Sequence, residues 1–107
     1  MLRQAEYHPE AKSEMREAAS WYDDKVNGLG LDFLFEVKNA ESHIVHNPEL
    51  WPNYEAGTKR YIMQRFPFAV IYLTLKEKIQ IIAVAHCKRK PGYWKNRMKE
   101  KETGKNR

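Results

Sequence analysis

Three apolar runs in the second half of the chain constrain its fold more than any other feature. Lys59 to Arg65, Phe68 to Leu75 and Lys78 to His86 each read as a β-strand. A turn at Phe66 and Pro67 separates the first two, and a two-residue turn at Lys76 and Glu77 separates the last two. In the last run Ile79, Ile81, Ala83 and Ala85 alternate onto one face. Ile82 and Val84 put apolar groups on the other, which predicts a strand buried on both sides. This strand runs directly into a basic, aromatic segment that starts at His86 and continues CKRKPGYWKNR. A sheet ending in Arg, Lys, His, Tyr and Trp has the composition of a reader of phosphate or of an acidic partner.

Upstream, residues 2–8 form a short edge-strand candidate, with Leu2, Gln4, Glu6 and His8 on one side and Arg3, Ala5 and Tyr7 on the other. Pro9 then occupies a first helical turn, where its missing N–H has no partner to lose. Ala11, Met15, Ala18, Tyr22 and Val26 recur at spacings of three and four and predict one apolar helix stripe, closed by Asn27 and Gly28. A second helix is expected from Gly30 to His46, with Phe33, Val37, Ala40 and Ile44 inward and a stop at Asn47 before Pro48. The short link at Asn27 to Leu29 makes the pair an antiparallel hairpin. Residues 48–58 have no period and read as a loop anchored by Trp51 and Tyr54. The expectation is an α+β fold, a helical hairpin packed on a twisted antiparallel sheet. It comprises one domain over residues 1–97 and a polar, disordered tail over 98–107.

The net charge of +5 conceals a division. Residues 1–58 carry 5 Lys and Arg against 11 Asp and Glu, whereas residues 59–107 carry 14 against 3. Charges segregated in this way point to a polyanionic or acidic partner. Cys87 is the only cysteine, which excludes an intramolecular disulfide and a multi-cysteine zinc site. No run approaches the roughly 20 apolar residues of a membrane span, and residues 1–10 lack a secretory apolar core, so a cytoplasmic, membrane-free protein is expected. His43 and His46 have a spacing that metals use, but no further ligand group accompanies them, and no metal or other cofactor is expected. Gly28 and Gly30 match no phosphate-binding loop and serve as helix punctuation.

Several local patterns occur in a suggestive order. They are HPEA at His8 to Ala11, EAASWY at Glu17 to Tyr22, GLG followed by Phe33 and Val37, and NP at Asn47 and Pro48. RFPFAVIY at Arg65 to Tyr72 and AVAHCKRKPGYW at Ala83 to Trp94 complete the series. In this order, and in the layout β-α-α-β-β-β, the chain resembles the RelE/ParE superfamily of type II toxins. The resemblance implies a growth-inhibiting toxin neutralised by an acidic cognate antitoxin. The superfamily holds two mechanisms on one fold. The local motifs look more like the ParE branch, which inhibits DNA gyrase without enzymatic turnover. The alternatives are a RelE-like, metal-independent endoribonuclease acting on mRNA in the ribosome, and a detoxified relative that only binds its antitoxin.

Each candidate residue has a functional and a structural reading. Arg60 and Arg65 offer guanidinium forks for phosphate, or ion pairs to the acidic helices. The position of Arg65 also matches an arginine used by ribosome-dependent relatives. His86 would move a proton in a nuclease, or simply finish a strand as a hydrogen-bonded residue. Lys88, Arg89 and Lys90 would surround an anion, or form a solvated strand end. Tyr93 and Trp94 offer stacking surfaces for bases or a partner, although Trp94 also suits a cap folded back on the sheet. Phe68 and Tyr72 read as core.

Overall fold

The computed structural model describes residues 3–98. Its elements follow in the order β1 (Gln4–Tyr7), α1 (Pro9–Lys25), α2 (Leu29–His46), β2 (Lys59–Ile62), β3 (Phe68–Thr74) and β4 (Lys78–His86), with a single 3-10 turn at Glu55–Gly57. The strands form one sheet in the order β1-β4-β3-β2. This is the expected α+β layout, a helical hairpin on a twisted sheet, with one correction to strand direction. β3 pairs antiparallel with both β2 and β4, but β1 pairs with β4 in parallel, from Gln4 opposite Lys78 to Tyr7 opposite Ile81, and the sheet is mixed. Hairpin-linked strands must be antiparallel, whereas β1 reaches β4 only after the whole helical pair, and residue alternation carries no information about direction. No helix among the described residues is long and apolar enough to cross a membrane.

The α1 N-terminus is capped by His8, whose Nδ1 accepts the Glu10 N–H at 3.0 Å, with Pro9 in the first turn. The helix ends at Lys25. Val26 is extended and 58% exposed, so the predicted stripe stops one step earlier, at Tyr22. Ala11 and Ala19 are buried, while Met15, Ala18 and Tyr22 pack part-buried against the core. Gly28 turns the chain with φ 92°, and Asp23 Oδ1 accepts both the Gly28 and Gly30 N–H groups at 3.0 Å. Gly30 is required by packing, because a Cβ there would lie 2.4 Å from the Ala19 carbonyl oxygen on α1. On α2 the predicted stripe holds in full, since Phe33, Val37, Ala40 and Ile44 are all 0% exposed.

The sheet has a core on each face. Under the helices, Val70, Tyr72, Ile79, Ile81 and Val84 meet the α1 and α2 stripes. On the opposite face Ala69, Ile71, Ile82, Ala83 and Ala85 are covered by Trp94, with Tyr54, Leu73, Tyr93 and Met98 around it. Strict alternation in β4 is broken by a bulge. Ile71 pairs with Ala83 and Tyr72 with Ile81, which leaves Ile82 as the extra residue. Beyond it the faces exchange. Ala83 and Ala85 move away from the helices, and Val84 moves under them, the reverse of what alternation predicts.

β2 ends at Ile62, short of the expected Arg65, and residues 64–67 bend into β3. The loop after α2 is anchored as its aromatics suggest, but on both faces. Trp51 lies edge-on to Tyr61 at 4.7 Å in the helix-side core, and Tyr54 leans on Trp94 at 6.1 Å in the other. Residues 95–98 form a helical turn, and Met98 packs on the second core. The predicted start of the first strand at Leu2 and the tail from residue 99 onward lie outside the described residues.

Candidate functional site

The arginines and lysines of the basic half fall into two groups. One group is neutralised within the chain. Arg65 lies 3.5 Å from both Asp32 and Glu36 on α2, Lys78 pairs with Glu6 at 2.6 Å, and Lys95 with Glu55 at 3.0 Å. Arg97 forms a fork with Glu14, its Nη1 donating to Oε1 at 3.0 Å and its Nη2 to Oε2 at 2.8 Å. The rest, Lys59, Arg60, Lys76, Lys88, Arg89 and Lys90, meet no carboxylate within 4.0 Å among the described residues, and Lys59 donates instead to the Asn53 side-chain oxygen and the Trp51 carbonyl.

Three of these, Arg60, Arg89 and Lys90, gather on the helix-free face. Arg60 stands on β2 with its guanidinium 4.3 Å from the centre of the Tyr54 ring. Arg89 lies over the Tyr93 ring at 3.8 Å. Both border a small open pocket of about 30 Å³, together with Lys90, Cys87, Pro91 and the floor residues Ala69, Ile71 and Ala85. A guanidinium held over an aromatic ring makes no hydrogen bond to it and keeps N–H donors available, so the two arginines present pre-oriented donors to an anion. Each tyrosine ring already has an arginine over it. Trp94, suggested by sequence as a stacking surface, is 1% exposed and closes the core instead. Lys88 is exposed beside the cluster.

His86 is not aimed into this cluster. It borders the pocket, but the β4 bulge has turned its side chain to the helix-bearing face, where the imidazole stands edge-on to Phe68 at 5.1 Å. Its Nδ1 accepts the Lys88 N–H at 3.0 Å, which in the neutral ring assigns the proton to Nε2. On that side His86, Phe68, Pro67, Ala18, Tyr22 and the exposed Trp21 line an apolar groove of about 460 Å³. Arg65 sits elsewhere again, on its two α2 carboxylates and near the Phe66 ring. Arg65 and His86, the two residues a nuclease reading needs, thus have different neighbours. His43 Nδ1 lies 2.7 Å from the Tyr61 hydroxyl and His46 Nδ1 lies 2.8 Å from the Ser42 carbonyl. No group of three metal-ligating side chains occurs among the described residues.

The residues that sequence reading missed are Glu14, Arg97 and Tyr54. β1 ends opposite Ile81, leaving the outer edge of β4 without a partner strand from residue 82 onward. Two side chains take the place of that strand. Glu14 Oε1 accepts the Val84 N–H at 3.0 Å, and Arg97 Nη1 donates to the Ile82 carbonyl at 2.9 Å. The Tyr93 hydroxyl donates to Glu14 Oε2 at 2.5 Å, closing the network. Burial, then the hydrogen bond and charge of Glu14, push the Tyr93 phenol well above its usual range against the opposing pull of Arg97 and Arg89. For Arg97 burial alone would lower the pKa, but the hydrogen bonds and charge of Glu14 carry it above the ordinary arginine value. A signal was present in the sequence. Glu14 lies between Ala11 and Ala18 at helical spacing, on the stripe where an apolar residue belongs.

No family model matches the chain, and no curated protein does. Among solved structures, a chain of one described as the chromosomal ParDE TA system from P. aeruginosa superposes with a TM-score of 0.71. The match has 11% sequence identity and covers 78% of this chain and 95% of that one. At that identity the likeness is one of fold, and the β-α-α-β-β-β chain has a ParE-like α+β fold.

Proposed function

We propose that the chain is the toxin of a type II toxin–antitoxin pair, neutralised in the cytoplasm by an acidic antitoxin and acting by ParE-like inhibition of DNA gyrase. The observation that carries this reading is the orientation of His86, the residue picked out for proton transfer, whose imidazole is turned away from the unpaired cations. Arg60, Arg89 and Lys90 share a pocket on the helix-free face; His86 borders that pocket, but its ring stands against Phe68 on the helix side with Nδ1 occupied by the Lys88 N–H. General acid–base cleavage of RNA needs its proton-transfer group within hydrogen-bond reach of the phosphate that the cations hold. A surface that inhibits by binding has no such requirement.

The RelE-like endoribonuclease is the second reading, supported by the two ring-stacked arginines, whose free edges suit a phosphate. A gyrase supercoiling assay run beside a toeprint of translating ribosomes separates the two. Inhibited supercoiling with an unchanged toeprint is expected, and a new A-site stop without effect on gyrase would overturn the gyrase reading.

A further inference from the structure

Arg89 belongs to the C-terminal segment, yet the ring it rests on is tied to a residue far away in sequence. The guanidinium rests on the Tyr93 ring at 3.8 Å, and the Tyr93 hydroxyl is tied to Glu14 of α1 at 2.5 Å. Glu14 is itself fixed by the Val84 N–H and by both Arg97 donors, with its side chain 15% exposed and that of Arg97 10%. We infer that Glu14, acting through Tyr93, is the positioning residue that holds Arg89 beside Arg60 as a preset clamp for a side-chain carboxylate of an acidic peptide segment. This rests on the proposed reading in which the unpaired cations form the docking face for the antitoxin.

Three features favour an acidic peptide over nucleic acid. The cations Arg60, Arg89 and Lys90 converge on one pocket and do not line a groove of the kind that tracks a polynucleotide backbone. The Tyr54 and Tyr93 rings are already covered by guanidiniums, and no open aromatic face remains in the pocket for stacking. Finally, the clamp adjoins apolar surface that a phosphodiester backbone does not use. Ile62, 54% exposed, stands opposite Ala69 in the β2–β3 register, and Ala69 and Ile71 line the pocket. A segment mixing acidic and apolar side chains would meet both. Pre-orienting Arg89 removes the cost of ordering a long, rotamer-rich side chain on binding.

The test is calorimetric titration of an oligo-glutamate peptide into the folded chain, with a short mixed-sequence DNA duplex in a parallel arm. The variants are Arg60→Ala, Arg89→Ala, Tyr93→Phe, Glu14→Gln, and Tyr93→Phe combined with Arg89→Ala. Arg89→Ala is expected to weaken oligo-glutamate binding by on the order of 10-fold, as for a charge-assisted hydrogen bond. Tyr93→Phe keeps the ring and the Glu14–Arg97 pair, so it remains folded, and it loses on the order of 3-fold in affinity through Arg89 freedom alone. The double variant should bind no more weakly than Arg89→Ala, because both changes act through one guanidinium. A purely structural role for Glu14 and Tyr93 would lower the melting temperature without moving the affinity of the folded protein. That result, or additive losses in the double variant, overturns the positioning role while leaving the docking face intact. Unchanged binding in both Arg60→Ala and Arg89→Ala overturns the docking face itself. Binding of DNA but not of oligo-glutamate, lost in Arg89→Ala, overturns the choice of ligand.

Discussion

The two faces of this sheet are closed by different means. On one, α1 and α2 lay down a continuous cover in which Phe33, Val37, Ala40 and Ile44 repeat the same contact along a helix. On the other, no long regular element is available among the described residues, and the cover depends on one indole and one ion pair. Trp94 fills the centre, while Glu14 and Arg97 fasten the segment that carries it to the edge of β4. A repeated contact spreads its energy over many residues, so losing one leaves the others in place. A cover with few anchors concentrates the energy and also fixes how the basic segment is presented.

The largest expected effects therefore fall on the helix-free face. Trp94→Ala empties a site that is 1% exposed and should cost about 3 to 5 kcal/mol. Glu14→Ala should be similar, about 3 to 5 kcal/mol, because it strands the Arg97 guanidinium and the Val84 N–H together. Urea denaturation of both variants checks this. If either midpoint stays near wild type, the second face is not a concentrated cover. A chain ending at Asn96, which lacks Arg97, should melt far below one ending at Met98, which keeps it.

On the helical face the losses should be graded by burial. Ile44→Ala, at a position 0% exposed, should cost about 2 to 5 kcal/mol. Met15 is only part-buried, and its replacement by Ala should fall at or below the bottom of that range. Equal denaturant midpoints for the two variants would show that the α1 stripe is more central than its exposure implies.

Alkaline pH probes the join between the helical face and the loop. Burial, and secondarily Glu49, raise the Tyr72 phenol to about 12, and its hydroxyl donates to the Pro48 carbonyl at 2.7 Å. The folded pKa lies above the unfolded value of about 10, so the neutral form is favoured by folding. That stability is complete below pH 10 and is lost as pH rises toward 12. Tyr72→Phe should remove part of the alkaline slope between these limits, at the cost of the hydrogen bond. An unchanged slope would assign the titration to Tyr7 and Tyr93, whose phenols are also raised by burial.

How much of this was legible follows the same division. The α2 stripe, the hairpin and the strand boundaries of β3 and β4 came from periodicity and turn residues, which are local. The parallel placement of β1 and the bulge at Ile82 are decided by tertiary pairing, and nothing in LKEKIQIIAVAH marks where alternation will slip. That slip turned His86 from the helix-free face to the helical one. Charge segregation was visible in composition, but which cations stay unpaired was not. Arg65 and Arg97 are neutralised by α2 and α1 carboxylates across long sequence separations, whereas Arg60 and Arg89 are stacked on tyrosines.

The smallest stability effects carry the most mechanistic information. Arg65→Ala removes ion pairs whose arginine is 54% exposed, and it should cost below about 1 kcal/mol. His86→Gln leaves an amide oxygen able to accept the Lys88 N–H, and its cost should also stay below about 1 kcal/mol. With folding preserved, growth inhibition on induction in cells reports function alone. A gyrase inhibitor moves no proton, so His86→Gln should retain potency. A nuclease using the imidazole would lose on the order of 100-fold in cleavage rate. Retained growth arrest in His86→Gln, with weakened antitoxin affinity in Arg60→Ala, is the pattern the proposed function predicts, because the surface it assigns lies on the face the bulge turns His86 away from. Should His86→Gln abolish growth arrest while its melting curve and antitoxin affinity stay at wild type, the binding mechanism fails and proton transfer from the helical face takes its place.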